Sequence, residues 1–140
     1  MSEPIFNFQE SVGERDWGQE ILLSHVKGSY TFKKLILKKG CKGGLQYHRI
    51  KNECGYLVSG KLIVRYSNSD NSLKERIVLP GESFHFPPFA IHQEEAIEDC
   101  IILEASNPVF NDRIRCEDQY GITDLGQGLP STTDSEIIIK

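Results

Sequence analysis

A chain of 140 residues fits one domain, and a domain of that length buries roughly two thirds of the surface its unfolded chain would expose, so it needs no disulfide staples. Lys and Arg number 16 against 20 Asp and Glu, a formal net charge of −4, which argues against the basic footprint of a nucleic-acid binder or of a protein held to an anionic membrane. A small molecule is the default partner for such a charge balance.

Residues 1–16 are polar with isolated apolar side chains and read as an N-terminal arm, packed on the body or on a second subunit. They carry neither the charged leader nor the apolar run of a signal peptide, and no later stretch approaches the ~18 apolar residues of a membrane span. The expectation is a cytoplasmic protein with reduced thiols. Its four cysteines, Cys41, Cys54, Cys100 and Cys116, form no C-x-x-C pair, which argues against a zinc ribbon or a thioredoxin-like motif.

Residues 17–122 form the body. Short β-type runs follow one another from Tyr30: YTFKKLILKKG, YLVSG, KLIVRY, ERIVLPGE, SFHFPP and DCIILEA, each broken by turn residues. In KLIVRY, Leu62, Val64 and Tyr66 alternate with Lys61, Ile63 and Arg65, the pattern of a strand with one face in a core. SNSDNS, residues 67–72, supplies a turn. No segment has a capped helical period, and a helical turn is expected only near residues 107–112. Trp17, Phe84 and Phe86 read as packing anchors. Residues 123–140 form a tail rich in Gly, Ser, Thr and Asp that ends on Ile137-Ile138-Ile139 and is expected to be mobile. The class is all-β, a sandwich or barrel.

The chemistry concentrates in GCKGGLQYHRIKNECGYLVSG. Gln46 and His48 are two apart, so on a strand both leave the same face. A turn through Lys51 and Asn52 returns the chain and sets Glu53 on the neighbouring strand beside them. GESFHFPPFAIHQ adds His92, five residues after Pro87. Taken singly each residue would be an ordinary surface or core side chain, but together they make a metal pocket. His48, Glu53 and His92 alone are a two-histidine, one-carboxylate triad suited to Fe(II); with Gln46 as a fourth ligand the set also suits Zn, Mn or Ni. Gln46, a neutral amide, is the weakest donor and otherwise lines the pocket. His25 reads as a surface residue, and His85 points away from Phe84 and Phe86 to the interior or the rim. Cys54 leaves the opposite strand face from Glu53, which makes it a poor ligand. Arg113 and Arg115 share a strand face; they hold an anion or a partner subunit, or form a solvated edge balanced by Glu117 and Asp118.

The spacing G-x5-Q-x-H-x4-E-x6-G, followed by G-x5-P-x4-H, resembles the two motifs of the cupin superfamily, whose fold is a double-stranded β-helix, or jelly-roll, barrel. Gln46 stands where the first histidine is usual, Phe89 where a glycine is usual and Ala96 where an asparagine is usual. Arg15-Asp16-Trp17-Gly18, LQYHRIKNE, YLVSGKL and IRCEDQYG at residues 114–121 are similar to the C-terminal cupin domain of type II phosphomannose isomerases, which carry R-P-W-G, L-S-L-Q-x-H-H-H-R-x-E and V-R-x-E-D-x-Y-G-R in that order. The resemblance spans roughly residues 15–122. It implies one divalent metal ion, Zn, Mn, Fe or Ni, held by Gln46, His48, Glu53 and His92.

It also implies activity like that of a mannose-6-phosphate isomerase. An aldose to ketose shift passes through an enediolate, whose charge a divalent cation stabilises while a side chain moves the proton. The substrate shell departs from the family, however. Family histidines match Arg49 and Ile50, the arginine after the last ligand is Gln93, and the terminal arginine of the last motif is Ile122, an apolar residue that cannot hold a phosphate. The expectation is therefore a metal-binding cupin acting on a sugar or sugar phosphate, with no base assigned among Lys51, Tyr47 and Arg115. Alternatives are a non-catalytic sugar-binding or regulatory cupin and an Fe(II)-dependent oxygenase. A homodimer is expected, because the barrel's open sheet edges need cover.

Overall fold

Strict alternation of inward and outward side chains sets this architecture. In Tyr30–Leu37 every second residue, Thr31, Lys33, Leu35 and Leu37, is buried, and in Cys100–Ser106 the buried set is Cys100, Ile102, Glu104 and Ser106. The computed structural model describes residues 2–140, at Glu14 the backbone alone. Its strands are β1 (Glu10–Arg15), β2 (Gly18–Val26), β3 (Tyr30–Leu37), β4 (Gln46–Tyr47), β5 (Glu53–Ser59), β6 (Leu62–Ser67), β7 (Leu73–Val78), β8 (Ser83–Phe86), β9 (His92–Ala96), β10 (Cys100–Ser106), β11 (Val109–Phe110), β12 (Ile114–Arg115) and β13 (Ile138–Ile139).

They form two main antiparallel sheets, ordered β1-β2-β3-β10-β5-β8 and β12-β4-β9-β6-β7, that face each other as a jelly-roll barrel. Leu35, Leu37, Leu57, Leu62, Val64, Val78, Phe86, Ala96, Cys100 and Ile102 make the core, with Trp17 and Phe84 packed against it. Two glycines permit close approach. A Cβ on Gly18 (φ +149°) would lie 1.7 Å from the Ile36 carbonyl oxygen, and one on Gly55 would strike the Phe84 ring at 2.4 Å.

Both chain ends carry more structure than their composition suggests. Residues 10–15 are an edge strand of the larger sheet, paired with β2. In the tail, β13 pairs with β11, and Arg49 donates to Asp134 at 2.8 Å and to the Thr132 carbonyl at 2.9 Å. These charge-assisted bonds fasten a segment whose sequence reads as loose. Residues 109 and 110 are strand, and the short 3₁₀ turns fall instead at Glu117–Tyr120 and Asp134–Glu136. Among the described residues there is no α-helix, hence none long and apolar enough to cross a membrane, and all four cysteines are free thiols.

Candidate metal centre

His48 follows β4, Glu53 opens β5 and His92 opens β9, so one end of the barrel receives a side chain from each. All three are buried, and one ligand atom from each lies within 4.8 Å of the other two. Glu53 Oε1 is 3.0 Å from His48 Nε2 and 3.3 Å from His92 Nε2. The far ring nitrogens face carbonyl oxygens, His48 Nδ1 that of Asp112 and His92 Nδ1 that of Ala90 at 2.9 Å. A carbonyl only accepts, so each Nδ1 must donate, and a neutral ring then aims a bare Nε2 lone pair at the carboxylate. Three lone-pair donors converging at these distances repel unless positive charge stands among them: a second proton on each ring, or one cation shared by all three. The donor set therefore fits a divalent metal ion.

The surrounding contacts hold this arrangement. Lys51 Nζ takes the other Glu53 oxygen at 2.7 Å, which leaves Oε1 to the histidines. Burial alone would raise the Glu53 carboxyl, but Lys51 and the two histidines outweigh it and hold Glu53 well below the usual carboxylate range. Phe86 stacks on the His92 ring with centroids 3.9 Å apart. Asp112 braces the loop after His48: its carboxylate accepts the backbone N–H groups of Arg49, Ile50 and Lys51 at 3.1, 2.7 and 2.9 Å. Burial opposes ionisation of Asp112, yet these bonds bring it down to about 2.

Gln46 lies opposite His92 in the strand register, is half-buried and lines the same cavity as the triad. That cavity, about 200 Å³, is also lined by Lys51, Glu104, Glu94, Lys33, Glu20, Arg15 and Arg113. Lys51 also bonds Glu104 at 3.1 Å, and Lys33 bonds Glu20 at 2.8 Å. Burial, then the charge of Glu53, pushes Glu104 up to about 7; burial, then Glu104 and Glu53, pushes Glu94 up to about 8.

Other residues singled out from the sequence lie elsewhere. Cys54 and His85 are exposed, and His85 contacts Asn52 at 2.6 Å. His25 is half-buried with its ring edge against Phe110, 5.7 Å between centroids, and is not a plain surface residue. Arg115 turns to Glu117 and to the tail carbonyls of Leu125 and Gly128. Gln93 bridges Arg65 and the Gly43 carbonyl, and Arg49 is committed to Asp112 and the tail. Ala96 lies in the apolar core. Phe89, where a glycine was expected, has φ +68° in the turn that ties its N–H to the His48 carbonyl at 2.8 Å, a left-handed conformation that glycine adopts without strain.

The sequence reading missed Lys33, Glu104, Glu94 and Asp112. For the first two a signal existed: Lys33 is in phase with inward Leu35 and Leu37, and Glu104 with Ile102. Asp112 gave none, because its partners at 49–51 are more than sixty residues away.

No protein-family model and no curated relative matches the chain. Solved structures do resemble it. CapF, a capsular polysaccharide assembling protein from Staphylococcus aureus, superposes with a TM-score of 0.63 at 22% identity, over 73% of this chain and 29% of that one. KdgF from Halomonas sp. gives 0.57 at 18% identity over 81% of this chain and 91% of that one. An oxalate oxidase gives 0.51 at 21% identity, over 56% and 42%. The chain thus spans less than a third of CapF and under half of the oxidase. What all three share with this chain is the barrel itself, and this chain has the cupin-type jelly-roll fold.

Proposed function

We propose that the chain binds one divalent metal ion through His48, Glu53, His92 and Gln46 and uses it on a small polar substrate, a sugar or sugar phosphate, in an isomerase-like reaction. The observation that carries this reading is the convergence of two Nε2 atoms on one carboxylate oxygen, at 3.0 and 3.3 Å, in the wall of a charged cavity. A divalent ion held there would supply a Lewis acid that stabilises negative charge developing on a carbonyl oxygen.

The chain's own groups do the rest. Asp112 and Ala90 fix the histidine rings through their carbonyls, and Lys51 holds the carboxylate. Gln46 offers a neutral amide oxygen, which donates less charge than the usual imidazole and so favours carbonyl polarisation over redox tuning. The motif likeness to phosphomannose isomerases supports the sugar class, while the altered shell at Arg49, Ile50, Gln93 and Ile122 points to a substrate other than the parent one. The cavity's charged lining favours a polar ligand over an apolar one.

Metal analysis of protein purified without added metal tests the reading. About one equivalent of Zn, Mn, Fe or Ni is expected, lost in His92→Ala. Absence of metal, with no uptake on titration, overturns it. Fe with O2 consumption would move the assignment to an oxygenase, and metal with sugar binding but no turnover would move it to a binding protein.

The same proposal includes a homodimer. Ile5 and Phe6 are 84% and 80% exposed next to the open edge strand β1. Sedimentation at micromolar concentration is expected to give twice the chain mass, and a monomer alone would refute it.

A further inference from the structure

Beside the triad, the cavity lining holds one cation without a counter-ion among the described residues. Lys51 is paired with Glu53 and Glu104, and Lys33 with Glu20; Arg15 also reaches Glu20, at 3.3 Å. Arg113 lines the same cavity, half-buried, and makes no ion pair among the described residues. Its Nε donates to the Pro130 carbonyl at 2.7 Å and its backbone N–H to Thr132 Oγ1 at 3.2 Å, which anchors the side chain at its base. The two terminal guanidinium nitrogens have no protein acceptor among the described residues. Burial, then the charge of Arg15, pulls Arg113 below the usual arginine range, against the opposing charges of Glu20 and Glu136.

A half-desolvated arginine fork that is anchored at Nε, shares its cavity with a second arginine and makes no ion pair among the described residues suits one kind of guest. A planar carboxylate or a phosphate accepts two parallel N–H bonds from such a fork and relieves the repulsion between the two cations. Arg113 is also placed for this relative to the metal centre. It directly follows Asp112, whose carbonyl holds His48, and directly precedes β12, which pairs with β4 opposite Gln46. A small molecule in the cavity would thus have a metal-facing end and an arginine-facing end.

We propose that Arg113, with Arg15 lining the same cavity, is an anion subsite, and that the substrate turned over at the metal carries a carboxylate or phosphate group. This rests on the metal-centred reading above and names its substrate class.

The test uses metal-loaded wild-type protein, Arg113→Gln and Arg113→Lys, with calorimetric titration of inorganic phosphate, a hexose 6-phosphate, a hexuronate and the neutral hexose. The charged sugars are expected to bind wild type at least about tenfold more tightly than the neutral one. Arg113→Gln should abolish that preference with metal content unchanged, and Arg113→Lys should restore part of it. A preference for the phosphate or for the uronate identifies which anion the subsite takes. Equal binding of charged and neutral sugars by wild type, a comparison that needs no variant, overturns the proposal, as does an unchanged preference in Arg113→Gln. Repeating the phosphate titration on metal-free protein separates the two readings: the subsite should still bind phosphate in an Arg113-dependent way even if the metal assignment fails.

Discussion

The two ends of the barrel interior are built on the same strands and differ in chemistry. On β3 the inward row runs Leu37, Leu35, Lys33, Thr31; on β10 beside it, Cys100, Ile102, Glu104, Ser106, each residue opposite its counterpart. The facing sheet repeats the gradient, with Leu62 opposite Ala96 and Val64 opposite Glu94, and then Tyr66 opposite His92. One end is an apolar plug of fully buried Leu57, Leu62 and Ile102. The other buries ionisable groups, whose desolvation offsets much of what their pairing contributes. Stability is thus concentrated in one half, and the half that can do chemistry is held in place by it.

The comparison predicts its largest effect at the plug. Leu57→Ala, at a side chain with no exposed surface, should cost about 2–5 kcal/mol in urea unfolding. Metal affinity of the protein that remains folded should be unchanged. A loss well under 1 kcal/mol would mean that the plug is not where stability resides.

At the other end the order reverses. Glu53→Gln keeps the shape but removes the charge on which both Nε2 atoms converge, so metal affinity should fall roughly a hundredfold or more. The metal-free protein should melt closer to wild type than Leu57→Ala does, because Lys51 keeps Glu104 as its partner. Equal metal affinity in the variant, measured by competition with a chelator, would remove Glu53 from the ligand set.

A smaller effect is expected one contact further out. Asp112→Asn retains the carbonyl that accepts from His48 but weakens the clamp on residues 49–51 and the pair with Arg49 at 3.0 Å. Metal affinity should drop about tenfold, the size typical of a group that orients a ligand, with about 1–2 kcal/mol of stability. If stability falls and affinity does not, Asp112 braces the loop without positioning His48.

These contrasts also mark what the sequence made legible. The period-2 runs and the ligand spacing were readable because both are local: Gln46 and His48 share a face by alternation, and Glu53 follows one turn later. The polar end was readable in part, since Lys33 and Glu104 break the apolar phase of their strands, but a charge in phase does not say which partner it meets. The fastening of the tail was not readable, because Arg49–Asp134 and β11–β13 are long-range contacts that composition does not encode. Nor was the diversion of Gln93 and Arg115 to structural bonds, which depends on side-chain direction at strand ends.

The smallest predicted effect lies outside both ends, at the junction of β4 and β12. Glu117 Oε2 accepts the Leu45 N–H at 3.2 Å, and both its carboxylate oxygens take the Arg115 Nε at 3.1 Å. Burial alone would raise its carboxyl, but these bonds draw it below the ordinary glutamate range. A folded-state pKa below the unfolded value of about 4.3 means that the ionised form favours folding. That contribution is complete above the unfolded pKa and is lost as the pH falls through the folded one. Glu117→Gln should therefore be less stable than wild type by about 1 kcal/mol near pH 7, and the gap should narrow as the pH is taken well below the ordinary glutamate range, where the wild-type carboxyl takes up its proton. Urea unfolding of both proteins at the two pH values reads this directly. A gap of equal size at both would show that Glu117 acts through shape and not through charge, and that the acid sensitivity of this fold belongs to the ionisable end of the cavity alone.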